Sequence, residues 1–207
     1  MNSLVFDFEN KINDKGYSIS DLLRHCLIIA SKLKQSEFIE WINSELNGYD
    51  NNMILPKYRK IPVNVKFLNP QYGWCPYVIT DEEAVKYLNE LPLRVKISEI
   101  EELSKSNGDV IRIDAPVAFK KELLSTLEFD SDISFEATRI STIGVIDAVK
   151  NYMLNWVLKL EENDIIDNNL VFDENQIKKA DVVTIQYINN INGDKNKIVL
   201  NQQIGSD

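Results

Sequence analysis

The stretch SISDLLRHCLIIASKLKQSEFIEWINSELNG, residues 18–48, decides how the N-terminal part of the chain folds. Ser18, with Asp21 three positions on, is the arrangement in which side-chain oxygens satisfy otherwise unpaired amides at a helix start. Leu22, Cys26, Ile29, Ala30 and Leu33 then recur at helical spacing. Ser36 can cap a second helix carrying Phe38, Ile39, Ile42 and Leu46 on one face, and Gly48 supplies the left-handed residue that commonly ends a helix. The short link at Lys34-Gln35 suits an antiparallel pair. Packed that way, Arg24 and Glu45 meet near the ends as an ion pair that fixes the hairpin, and Trp41, one turn before Glu45, belongs to its seam.

After Asn52 the period changes from helical to alternating. Ile61, Val63, Val65 and Phe67 alternate with polar residues as in a half-buried strand, and Pro62, which lacks an amide donor, predicts that this strand lies at an edge or starts there. An aromatic loop follows over 69–77. A short helix is predicted from Thr80 or Asp81 to Leu88, a strand through Leu93, Val95 and Ile97, and a capping box at Ser98-Glu99-Ile100-Glu101 opening another helix. Val110 to Ile113 reads as a strand, Asp114 and Pro116 start a helix through Leu127, and Ile133, Phe135 and Ala137 form a further strand. The longest helix spans about 141–162. Ile146, Val149, Met153, Trp156 and Leu160 make its main stripe, and Leu154 and Leu158 add a second flank. The expected fold is therefore α+β: an N-terminal helical hairpin, a small mixed sheet region with short helices, and a long C-terminal helix. The expected domain covers 1–162. An acidic connector over 163–181 and an Asn/Gln-rich, β-prone tail over 182–207 follow. In that tail Val183, Ile185 and Tyr187, then Ile198, Leu200 and Ile204, alternate with polar residues as two short strands that could drive self-association.

Composition narrows the function. A net charge of −9 over 207 residues repels a phosphate backbone and an anionic lipid surface, which disfavours nucleic-acid and membrane partners. The start of the chain does not read as a signal peptide, no run is long and apolar enough to span a membrane, and two cysteines make no disulfide framework; the cytoplasm is the expected location. One histidine excludes a His-rich metal site, and no phosphate-binding or nucleophile-elbow motif is present, so no catalytic residue, metal or cofactor is assigned. His25 itself is expected at the surface or in a cap. Acids around Asp109 and Asp114, with Lys120, are the alternative reading, a metal-dependent nuclease-type toxin. The best binding candidates are Tyr72, Trp74 and Tyr77, whose loop with Gly and Pro can form a rigid amphipathic contact surface or a lid folded onto the sheet.

Three segments carry a family likeness: Ser20-Asp21-Leu22-Leu23-Arg24-His25-Cys26-Leu27; Trp41-Ile42-Asn43-Ser44-Glu45-Leu46-Asn47-Gly48-Tyr49; and Leu55-Pro56-Lys57-Tyr58-Arg59-Lys60-Ile61-Pro62. They resemble the AbiTii family of bacterial abortive-infection proteins. The long helix, through Ile146-Asp147-Ala148-Val149-Lys150-Asn151 and Trp156-Val157-Leu158-Lys159-Leu160-Glu161, is similar to that family's last helix. The likeness covers about residues 1–162, and the element from Glu45 to Tyr49 is its most specific part. The resemblance implies a role in phage defence, with a co-encoded defence component or a phage or host protein as partner, and it transfers no catalytic residue. Together with the residues, it predicts a protein that works by binding and forms homo-oligomers.

Overall fold

The computed structural model describes residues 3–78, 88–115, 117–125 and 130–192. Helix α1 (Leu4–Ile12) leads into α2 (Ile19–Lys32) and α3 (Ser36–Asn47). The Ser18 hydroxyl accepts from the Asp21 amide as its sequence position predicts, whereas α3 begins at Ser36 itself with Gln35 as the flanking residue. Lys34 takes a positive φ of 59° and turns the chain between the two helices.

Strand β1 (Lys60–Asn69) turns into β2 (Gly73–Pro76), and β3 (Glu90–Pro92) returns to pair with the start of β1. Helix α4 (Ile97–Ser104), β4 (Val110–Asp114), α5 (Val117–Leu124), β5 (Ile133–Thr138), the 24-residue α6 (Arg139–Glu162) and α7 (Glu174–Asn192) complete the order. All pairings are antiparallel, in the order β2-β1-β5-β4 with β3 on β1. The protein is an α+β fold. Val63, Val65, Ile133, Phe135, Ala137 and Ile111 point to one side of the sheet and are buried against the helices. Helix α6 is the hub: it packs on α1, α2, α4, α7, β1 and β5. Its predicted stripe, Ile146, Val149, Met153, Trp156 and Leu160, is buried throughout. Of the expected second flank, Leu154 is half-buried against the core and Leu158 is 37% exposed, while Val145 and Val157 are buried beside the main stripe.

Several local expectations give way to the fold. Strand β1 is central, since β5 pairs with it from Val63 onward and β2 lies on its other side; Pro62 sits opposite Glu90 of β3, outside the β1–β5 ladder, so its missing donor costs no bond there. Residues 69–77 form a hairpin, whose turn is held by the Asn69 side chain accepting from the Gln71 and Tyr72 amides. Leu93 to Ile97 is no strand: the Arg59 guanidinium donates to the Leu93 and Val95 carbonyls, and α4 starts at Ile97 behind Lys96, ahead of the predicted capping box.

The largest correction concerns the end of the chain. Val183, Ile185 and Tyr187 lie in helix α7, because Ala180, Thr184, Ile188 and Ile191 recur every three or four residues and are buried. The helical period prevails over the alternation. Trp156 donates from Nε1 to the Thr184 hydroxyl at 3.1 Å, which ties α7 to α6 and makes 174–192 part of the folded unit rather than a connector and tail. The expected helix over 80–88, apart from Leu88, and the second tail strand at Ile198, Leu200 and Ile204 lie outside the described residues.

Candidate functional site

The charged centre of the molecule is buried. The Glu45 and Arg59 side chains are both fully inaccessible and joined as a two-pronged ion pair, with Arg59 Nη2 donating to Glu45 Oε2 and Nε donating to Oε1. Glu45 Oε1 also accepts from the Tyr49 hydroxyl at 2.6 Å and the Tyr58 hydroxyl at 2.7 Å. Trp41 donates from Nε1 to Tyr58 Oη at 2.8 Å, and Arg59 lies 5.1 Å from the centroid of the Tyr49 ring. Burial pulls the Arg59 pKa down, and the Glu45 carboxylate reverses this and leaves it raised. Burial first, and then the same carboxylate, push the Tyr49 and Tyr58 hydroxyls well above their ordinary range, so both remain donors.

Glu45 is on α3, Tyr49 two residues beyond its end, and Tyr58 and Arg59 on the turn entering β1; the network therefore clamps α3 to that turn. Gly48 makes this geometry accessible. Its φ is +94°, and a Cβ there would stand 2.8 Å from the Arg94 carbonyl, which accepts from the Tyr49 amide. Arg24 takes no part: it is 63% exposed and pairs with Asp21 at 3.2 Å. The expected Arg24–Glu45 pair is thus replaced by Arg59–Glu45. The readable signal was phase, since Arg59 falls in step with Ile61, Val63 and Val65 and so faces the core.

A second arrangement lies on the other face of the sheet, which carries Lys66, Trp74, Glu136, Arg112 and Asp114. Glu136 accepts from Arg112 Nε at 3.0 Å and lies 3.6 Å from Lys66 Nζ. The Arg112 guanidinium reaches back over the sheet to 5.5 Å from the Trp74 ring centroid. Tyr72, at the hairpin tip, is 79% exposed. Tyr77 is separated from the other two: it is half-buried and meets Phe67 edge-on at 6.5 Å. Of the three predicted aromatics, Tyr72 is exposed, Trp74 is half-buried beneath Arg112, and Tyr77 covers the sheet.

The profile of the AbiTii family matches residues 3–185, nearly the whole described chain. The chain belongs to the AbiTii family. Membership implies abortive-infection defence against phage. The match runs past the expected boundary at 162 and takes in most of α7, in keeping with the packing of that helix on α6. No curated protein and no solved structure matched the chain. In the segment from Glu45 to Tyr49, Glu45 supplies the ion pair, Gly48 the positive-φ corner and Tyr49 a hydroxyl donor.

The remaining candidates in this AbiTii chain do not converge. His25 is only 11% exposed, sandwiched between α1 and α2; Lys11 Nζ stands 3.3 Å from its Nδ1 and the Leu4 carbonyl 3.3 Å from its Nε2. Burial, followed by Lys11, lowers its pKa, so the neutral ring accepts from Lys11 and donates to Leu4. It pins α1 and is neither a surface nor a capping residue. Asp109 precedes β4 and Asp114 ends it, about 16 Å apart at the rise of an extended strand, too far to hold one ion. Lys120 is on α5. Among the described residues no three His, Cys, Asp or Glu side chains gather as metal ligands, and no helix is long and apolar enough to cross a membrane.

Proposed function

We propose that this AbiTii protein serves abortive infection from the cytoplasm by binding a protein partner, of phage, host or co-encoded origin, through the exposed sheet face and hairpin tip that carry Trp74, Arg112 and Tyr72. The supporting observation is the division of the molecule's polar groups. The motif residues are spent internally, with Glu45 and Arg59 fully inaccessible, whereas Tyr72 stands 79% exposed and Arg112, which covers the half-buried Trp74, is 54% exposed. Tyr, Trp and Arg are the residue types that dominate the energetics of protein interfaces. A buried network cannot touch a partner, so it supports the face that does.

Affinity capture from infected and uninfected cells tests this reading, with the unaltered chain and with a Tyr72→Ala/Trp74→Ala variant of equal melting temperature. A species retained by the unaltered chain and lost with the variant is expected. Equal retention by both would remove the face from the account.

A further inference from the structure

The two ends of the sheet differ in how they treat their free backbone groups. At the β2 end, the Tyr77 amide donates to Val65, so residues 73, 75 and 77 direct their backbone at β1 while 74 and 76 face outward. Pro76 has no amide to offer, and this edge is closed to a further strand. At the β4 end, the Asp109 carbonyl accepts from Arg139 and the Ala115 amide donates to Ile133, so Ile111 and Ile113 also direct their backbone at β5. Val110, Arg112 and Asp114 therefore turn their N–H and C=O groups outward, and among the described residues no strand pairs with them. Arg112 and Asp114 are the charged residues of this edge, both exposed, and in the single chain Arg112 rests against Glu136 and Trp74.

We infer that β4 pairs antiparallel with β4 of a second copy, centred on Ile113, to form a two-fold dimer with a continuous sheet. The register follows from complementarity. With Ile113 on the axis, Arg112 stands opposite Asp114 of the other copy, and Asp114 opposite its Arg112, two opposite-charge pairs on the outer face. Each of these is a hydrogen-bonded pair, which uses the outward backbone groups of both residues. On the inner face Ile113 meets its own copy in the closer, non-hydrogen-bonded position, and Ile111 meets Ala115. Ile113 is only half-buried in the single chain, and this contact completes its cover. Shifting the centre to Arg112 would set the two arginines directly opposite each other, and like charges in that position are destabilising. Such an edge contact is smaller than a standard interface, and each chain carries −9, so association is weak and strengthens with salt that screens the charge.

Light scattering on the full chain at rising concentration and physiological salt tests the dimer through paired charge reversals. The unaltered chain shifts from monomer to dimer mass. Arg112→Asp sets Asp opposite Asp, and Asp114→Arg sets Arg opposite Arg; each raises the dissociation constant by about tenfold or more. Mixed in equal amounts, the two variants restore both pairs and dimerise again. That result also shows that each is folded. A monomer mass for the unaltered chain at every concentration, or a mixture no more associated than its components, overturns the register. In a Cys75→Ser background, Ile113→Cys cross-links to a dimer under mild oxidation and Ile111→Cys does not; cross-linking at Ile111 alone would contradict the axis.

Discussion

Arg59 closes the single 3-10 turn over Lys57–Arg59 just before β1, in step with the buried Ile61, Val63 and Val65, and its guanidinium enters the core. A buried cation there requires a buried anion, and Glu45 supplies it with both oxygens. Removing one partner strands the other. Glu45→Gln or Arg59→Met should each cost about 3–5 kcal/mol, read as a fall in denaturation midpoint, while the double substitution costs less than the sum. Equal and additive small losses would show that the pair does not act as a unit. A second acidic residue behaves differently. Glu9 on α1 is raised in pKa, first by burial and then by the Glu161 carboxyl on α6, and its Oε1 is buried without a hydrogen-bond partner. A raised folded pKa means that its protonated form contributes stability below the unfolded value of about 4.3 and that this contribution is lost as pH rises through the folded value. Glu9→Gln keeps the neutral form at all pH. Its melting temperature should exceed that of the unaltered chain at pH 7 and match it near pH 4; a gain of the same size at both would refute the coupling.

The boundary between domain and tail is decided by α7. Its Thr184 accepts from Trp156, and Phe38 on α3 stacks on Trp156 at 4.2 Å and meets Tyr187 edge-on at 6.4 Å. A chain cut after Glu162 would uncover these rings. It should lose cooperative thermal unfolding or aggregate, while a chain ending at Asn192 should melt as the full chain does; cooperative melting of the shorter chain would restore the sequence boundary. The elements whose period had no competitor were legible: the hairpin through Gly48, β1, β4, β5 and α6. The misreadings arose where long-range contacts override the local pattern. Val183 to Tyr187 alternates, but packing on α6 and α3 selects the helical period. Leu93 to Ile97 looks extended and hydrophobic, but its carbonyls are taken by Arg59. At the candidate site, exposure of Tyr72 and reach of Arg112 to Trp74 depend on pairings across four strands, which no local window contains.

At the scale of the whole molecule, the AbiTii segments quoted from α3 and the entry to β1 describe a clamp. It joins α3 to the sheet and takes no part in the opposite face, where Arg112 and Asp114 are exposed. The clamp is expected to set how much folded protein there is, and the face to set what that protein does. Phage plating efficiency on cells in which the unaltered protein confers protection separates the two most directly, when compared at matched levels of folded protein for Tyr72→Ala/Trp74→Ala and for Tyr49→Phe. Loss of protection with the aromatic pair removed, and full protection with Tyr49→Phe, is the expected result. Full protection without Tyr72 and Trp74 would contradict it.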